Sequence, residues 1–175
     1  MATILIETDE RVRILTLNRP AARNAFNREL SEELTAALRR AEDDDDVDVV
    51  VVTGVDPSFC SGMDLKEIAE PTAERFDDEA IDWMGALLAL TKPVLGAVNG
   101  AAVTAGLELA LACDFLVASE HARFVDTHAK IGMLPGRGMT GLLPQALGLR
   151  MAMEMSFSGG ALDAQDAWRL GLVNH

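Results

Sequence analysis

Glu108 sits inside Leu107-Glu-Leu-Ala-Leu-Ala112, an apolar run in which a charged side chain needs a reason. Two readings compete: a helix-start residue reaching water, or a carboxylate held in a cleft with a task. Its neighbourhood favours the second. Three residues earlier, Ala105 lies in Asn99-Gly-Ala-Ala-Val-Thr-Ala-Gly-Leu-Glu108, one of three glycine-containing segments that each follow an expected strand. The others are Phe59-Cys-Ser-Gly-Met-Asp-Leu-Lys66 and Gly132-Met-Leu-Pro-Gly-Arg-Gly-Met-Thr-Gly141. Open α/β sheets gather ligand-binding backbone at such places. In the segments at 59–66 and 99–108 a turn runs into a helix start, leaving backbone N–H groups that the helix does not consume and that can point at one oxygen. Two such donors from separate turns make an oxyanion hole.

His128 lies in Val125-Asp-Thr-His-Ala-Lys130, just before the third segment, where an imidazole could donate or accept a proton near neutral pH. Taken alone, such a histidine is more often a packing or surface residue. Cys60 and Ser61 stand beside a candidate anion-binding turn, with His128 and Asp126 available as partners, so nucleophilic catalysis is the alternative; Cys60 reads equally as a small buried residue. Gly136-Arg-Gly-Met-Thr-Gly141 has the letters of a dinucleotide fingerprint, but no strand ends at its first glycine, which makes it a tight turn before a helix. Neither a P-loop nor a Gly-x-Ser-x-Gly nucleophile elbow occurs.

The elements that must position these groups alternate between strand and helix. Ile4 to Thr8 and Val12 to Leu17 predict an antiparallel pair across Asp9-Glu10. Asn27 caps an amphipathic helix through Arg40, with Leu30, Leu34, Ala37 and Leu38 on one stripe. Glu42 to Asp48 holds six acids in seven residues and reads as a solvated turn, since it lacks the spacing of a calcium loop. Val49 to Thr53 then predicts a strand covered on both faces. A helix is expected over 77–90, with Ile81, Met84, Leu87 and Leu88 on its stripe, followed after Pro93 by a strand over 94–98. Further on come a buried helix at 107–112, a strand at 115–118, and helices at 140–147 and 163–170, the last stopped by Gly171. The layout is α/β with crossovers.

The 175 residues favour one domain, and a net charge of −13 argues against a nucleic-acid partner. Two cysteines and three histidines supply neither a disulfide framework nor zinc spacing. The start has no basic flank before its short apolar run, so no signal peptide is expected and a cytoplasmic, reducing location is. The longest uncharged stretch, between Lys92 and Glu108, is broken by Gly96, Asn99, Gly100 and Gly106 and reads as core, not as a membrane span.

Taken in order, these segments resemble the crotonase superfamily, the enoyl-CoA hydratase/isomerase proteins, over nearly the whole chain. Leu17-Asn-Arg-Pro-Ala-Ala-Arg-Asn-Ala-Phe-Asn27 is similar to the family's CoA-contact turn, the segment at 59–66 to its first oxyanion segment, and Lys92-Pro-Val-Leu-Gly-Ala-Val-Asn-Gly100 to the strand before the second. The resemblance implies a crotonase-like spiral of ββα units with two nearly perpendicular sheets, residues 1–175 forming a single N-terminal core domain. Relatives continue beyond Gly171-Leu-Val-Asn-His175 through several helices, so the C-terminal helical region is expected to be missing or shortened.

By the same resemblance the oxyanion N–H groups come from Met63 and from Ala105, where the family more commonly has glycine. A positive φ at that position would strain an alanine Cβ, although its N–H still donates. Glu108 falls on one of the two glutamates that manage the added water in enoyl-CoA hydratases, and His128 occupies the position of the other. Ala22, Arg23 and Ala25, with Ser61, Asp64 and Leu65, are implied to line the CoA arm, Arg23 toward phosphate. The implied activity is a lyase adding water to a 2-enoyl-CoA thioester, with coenzyme A part of the substrate, no separate cofactor or metal, and assembly as a homotrimer or homohexamer. The alternatives are an enoyl-CoA isomerase working with one carboxylate and a catalytically weak acyl-CoA binder.

Overall fold

The computed structural model describes residues 2–69 and 81–175. Strands β1 (Ile4–Asp9) and β2 (Val12–Leu17) pair antiparallel as expected, Ile4 opposite Leu17, around a tight loop in which Glu10 takes φ 51°. Asn27 caps helix α1 (Arg28–Asp43), its side chain accepting the Leu30 N–H at 3.0 Å. The helix buries Leu30, Leu34, Ala37 and Leu38, and runs three residues past Arg40 because Ala41 continues the apolar stripe. Asn27→Ala is expected to cost about 1 kcal/mol, read as a lower denaturant midpoint at unchanged slope.

The acidic run is a charged turn bound to the neighbouring strands. Arg11 pairs with Asp48 at 2.6 Å, Arg13 with Asp44 at 2.8 Å, and Glu42 accepts from the Thr91 backbone and hydroxyl. Strand β3 (Val49–Gly54) follows, but only Val50, Val52 and Gly54 are buried. Its continuous β-branched sequence therefore reflects the preference of such side chains for a pleated surface, not enclosure of both faces.

Beyond β3 the chain repeats one move. Strands β4 (Ser58–Cys60), β5 (Val94–Val98), β6 (Ala101–Val103), β7 (Phe115–Ala118), β8 (Arg123–Val125) and β9 (Ala161–Asp163) sort into two sheets, ordered β1-β2-β3-β5-β7 and β4-β6-β8-β9. Each pair β3/β4, β5/β6 and β7/β8 thus puts its first strand in the large sheet and its second in the small one. Helices α2 (Leu65–Ile68) and α4 (Ala105–Leu111) lead out of the first two pairs. This is a spiral of ββα turns. Contacts within the large sheet are parallel after β2, and only β9 joins the small sheet antiparallel.

Helix α3 (Trp83–Leu88) occupies part of the expected 77–90 helix, whose residues 77–80 lie outside the described residues. Asp82 caps it through the Gly85 N–H at 3.0 Å. Ile81, Met84 and Leu87 are buried, but Leu88 is 62% exposed, because this short helix seats Leu87 in the core and the next position rotates outward. Trp83 stacks on Phe26 with centroids 4.6 Å apart. Helix α5 (Met139–Leu147) matches expectation to within a residue, whereas α6 (Leu149–Ser158), set off by Gly148 at φ 76°, does not figure in the sequence reading. Helix α7 (Ala164–Arg169) is capped by Asp163 and followed by Gly171 at φ 83°. Among the described residues no helix is long and apolar enough to cross a membrane.

Candidate active site

Two turns from successive units of the spiral meet at the mouth of the small sheet. The first follows β4, where Phe26 N–H donates to Gly62 O at 2.7 Å and Asp64 N–H donates to Phe26 O at 2.8 Å. In this parallel bridge the N–H of Met63, between the two bonded residues, is directed away from Phe26. The second turn joins β6 to α4, where Thr104 takes φ 48°, ψ −114°. Ala105 is the first residue of α4, so its N–H has no carbonyl one turn back to bond. Among the described residues no protein acceptor takes the N–H of Met63 or of Ala105.

The turns approach so closely that glycine is required at both. A Cβ on Gly62, at φ 96°, would lie 1.9 Å from Thr104 Oγ1, and one on Gly106 would lie 2.1 Å from Cys60 O. The left-handed backbone of the second turn falls on Thr104 and not on Ala105. The methyl group of Ala105 therefore imposes no left-handed strain of its own.

A cavity of about 70 Å³ opens where the turns meet, walled by Ser61, Met63, Leu65, Thr104, His128 and Met133 among others. It adjoins an apolar groove of about 390 Å³ between α5, α6 and the segment before α5, and His128 and Met133 belong to both walls. Leu134, 89% exposed, and Phe157, 77% exposed, lie along this groove.

Ala105 and Glu108 stand on the first turn of α4, enclosed, and do not line the cavity surface. Glu108 is 1% exposed, and its Oε1 accepts the Arg137 N–H at 2.7 Å and the Met139 N–H at 3.3 Å. The Gly136–Gly138 turn is thus a tight turn before α5, and the anion its amides hold is the chain's own carboxylate. The Arg137 guanidinium lies 5.0 Å over the Trp83 ring and 3.7 Å from Asp82. Burial pulls its pKa down against the opposing pull of Asp82 and Glu108. Sequence reasoning missed this support for Glu108, because it comes from backbone N–H groups 29 and 31 residues away.

His128 and Asp126 do come together. Nδ1 of His128 is 2.7 Å from Asp126 Oδ1, which also accepts the His128 backbone N–H at 3.1 Å; Ser156 Oγ donates to Asp126 Oδ2 at 2.7 Å. Burial pushes the Asp126 carboxyl up, but bonds from Ser156 and His128 outweigh it and hold the group below the usual carboxylate range. That stabilisation is present above the ordinary carboxyl range and is lost as pH falls through the lower native value. The nucleophilic alternative fails on Cys60: it is fully buried, and burial pushes its thiol up to about 12. Ser61 Oγ donates to Ala22 O at 3.3 Å rather than to the imidazole.

Of the remaining candidates Ser61 and Leu65 line the cavity, whereas Ala22, Arg23, Ala25 and Asp64 stand on the adjoining turns outside its lining. Ser61 N–H donates to the carbonyl of Arg23, an exposed residue at φ 51°, at 3.1 Å. Leu65 is partly exposed at the rim, whereas Ala25 is buried and its carbonyl is taken by Arg19. Asp64 caps α2 and pairs with Arg19 at 3.0 Å. Arg19 is a structural residue the sequence reading passed over: it locks the 19–26 turn to the 61–65 turn. Asn24 does the same on the other side, donating to Val55 O and Ser58 O.

Comparison with known proteins shows which family shares this sequence and fold. A model of the enoyl-CoA hydratase/isomerase family matches residues 7–175. The chain is 42% identical over 175 residues to the 2,3-dehydroadipyl-CoA hydratase of Escherichia coli (strain K12), covering 99% of this chain and 69% of that protein. It is 41% identical over 173 residues to a probable enoyl-CoA hydratase of Mycobacterium bovis, covering 98% of this chain and 67% of that one. The crystal structure of enoyl-CoA hydratase from Mycobacterium tuberculosis H37Rv matches with a TM-score of 0.88 at 55% identity, over 98% of this chain and 73% of that chain. An enoyl-CoA hydratase/isomerase from Pseudoalteromonas atlantica T6c matches with a TM-score of 0.92 at 35% identity, over 98% and 68%. With the family model spanning almost its full length and the spiral of ββα turns reproduced in solved relatives, the chain belongs to the enoyl-CoA hydratase/isomerase family.

Proposed function

We propose that this protein adds water across the double bond of a 2-enoyl-CoA thioester. The observation that carries the reading is the junction of the Met63 and Ala105 turns, each with an unspent N–H, next to the helix that bears Glu108. As water attacks C3, negative charge builds on the thioester oxygen. Two fixed amides at that oxygen favour the enolate-like transition state over the ground state. Glu108 takes a proton from the attacking water, and His128 supplies the proton that C2 gains. The apolar groove that shares His128 with the cavity suits the acyl chain. The turn at Ala22, Arg23 and Ala25, with Ser61, Asp64 and Leu65, holds the CoA arm, Arg23 reaching phosphate.

Coenzyme A enters as part of the substrate, and no resident cofactor or metal is required by these steps. We read the protein as cytoplasmic and its assembly as a homotrimer or a pair of trimers, in line with the family resemblance. The experiment is turnover of crotonyl-CoA, followed by loss of the enoyl thioester's ultraviolet absorbance. Detection of 3-hydroxyacyl-CoA supports the reading. An imidazole at 128 in place of a second carboxylate favours one competitor, an enoyl-CoA isomerase that needs only Glu108. That reading predicts conversion of a 3-enoyl-CoA to the 2-enoyl isomer without a hydroxyacyl product. Saturable thioester binding without turnover of either substrate would instead make the chain an acyl-CoA binder.

A further inference from the structure

We propose that Asp126 is a positioning residue for His128: its buried carboxylate takes the proton-bearing Nδ1 edge of the imidazole and so fixes Nε2 as the nitrogen presented to the acyl-CoA cavity. The proposal rests on the reading of that cavity as the thioester site. Asp126 directly follows β8 and is 0% exposed. Among the described residues the groups bonded to its carboxylate are all donors: Ser156 Oγ from α6, the His128 backbone N–H, and His128 Nδ1. The nearest cations along the chain are engaged elsewhere: Arg123 donates to Ala122 O at 2.8 Å and Lys130 to Gly159 O at 2.7 Å. An ionised carboxylate only accepts, so the 2.7 Å contact requires the proton on Nδ1. Among the described residues no protein group bonds Nε2, while the ring walls both the small cavity and the apolar groove.

A buried carboxylate is expensive to keep when packing is all that is needed there. Here its three donors hold one ring in one orientation and one tautomer. In the hydration step the Nε2–H bond of the imidazolium breaks and the enolate pair forms the C2–H bond with that proton. The water proton goes to Glu108, and solvent exchange returns the pair to its starting state. Throughout, Nδ1–H stays on Asp126, which stabilises the imidazolium without itself becoming protonated, as in other carboxylate–histidine pairs.

The test is nitrogen-15 NMR of the protein labelled at histidine, which contains only His121, His128 and His175. Assignment uses His128→Gln, and the sample is titrated upward until the His128 ring is neutral. The expected result is Nδ1–H with unprotonated Nε2 in the parent protein, and conversion toward Nε2–H in Asp126→Ala. Asp126→Ala should also lower kcat on crotonyl-CoA about 10²-fold with KM changed less than about threefold. An Nε2–H tautomer in the parent overturns the proposal without needing any variant to fold, and so does an unchanged tautomer in Asp126→Ala. A parent with the Nδ1–H tautomer and no turnover of crotonyl-CoA overturns the hydratase reading and leaves the positioning role standing.

Discussion

Glu108→Gln is expected to lower kcat for crotonyl-CoA hydration by about 10²–10⁴-fold, the usual worth of a positioned general base, while KM moves less than about threefold. The substitution is nearly isosteric and keeps an oxygen to accept from Arg137 and Met139, whose N–H groups hold Oε1 at 2.7 and 3.3 Å. The fold around α4 and α5 should therefore survive, and thermal unfolding of the variant should stay close to that of the parent. What the amide cannot do is take a proton from water. Steady-state kinetics beside a melting curve separates these effects. A variant that retains parental kcat sinks the assignment of Glu108 as the base, whatever its stability.

Gly62→Ala carries the second large effect, and for a different reason. The left-handed φ of 96° costs an L side chain roughly 1–2 kcal/mol, and the new Cβ would lie 1.9 Å from Thr104 Oγ1 and 3.0 Å from Val103 O. Thr104 is itself held at φ 48° and belongs to the opposing turn, so relief requires the two turns to part. On the proposed mechanism, parting them would spoil the shared aim required of the Met63 and Ala105 amides. Losing one oxyanion donor is worth about 10²–10³ in kcat. We expect a loss of that size in Gly62→Ala together with a lower melting temperature. Gly141→Ala is the control: nothing lies within 4 Å of its added Cβ, its φ is ordinary, and it sits in α5. It should keep full activity and gain up to about 1 kcal/mol of stability. Equal activity losses in the two variants would contradict the geometric account.

The parts of the fold that could be read from sequence are those with enough residues to show a period. The β1–β2 hairpin and the Asn27-capped helix emerge because six-residue strands and a sixteen-residue helix repeat their pattern, and β5 and β7, five and four residues long, because each is an uncharged apolar run. The small sheet is illegible for the opposite reason: β4, β6, β8 and β9 are three residues each, too few to display alternation, and they exist through pairing with one another. Helix α6 escaped notice because Gly148 interrupts the apolar pattern that α5 begins. At the site, local signals singled out Ser61, Ala105, Glu108 and His128 as candidates, and the family resemblance added Met63. The tasks of Arg19, Asn24 and the 137–139 backbone are tertiary and leave no local trace. Asp126 was visible as a partner of His128, although in the service of a thiol that burial disables.

The stretch 126–133 lines both the cavity and the groove, but Ser61, Met63, Leu65 and Thr104 face only the cavity, and the groove continues alone through 134–157. The amides and the carboxylate to which we assign the chemistry come from 61–108, whereas most of the groove is supplied by 129–157. This separates what is done to the carbonyl from what is tolerated beyond it. Exchanging Met153, Leu149 or Phe157 for larger or smaller side chains should alter which tails fit, without touching the groups that break and make bonds. On the proposed reading, selectivity for the tail can therefore drift at one wall while the reacting groups stay as they are.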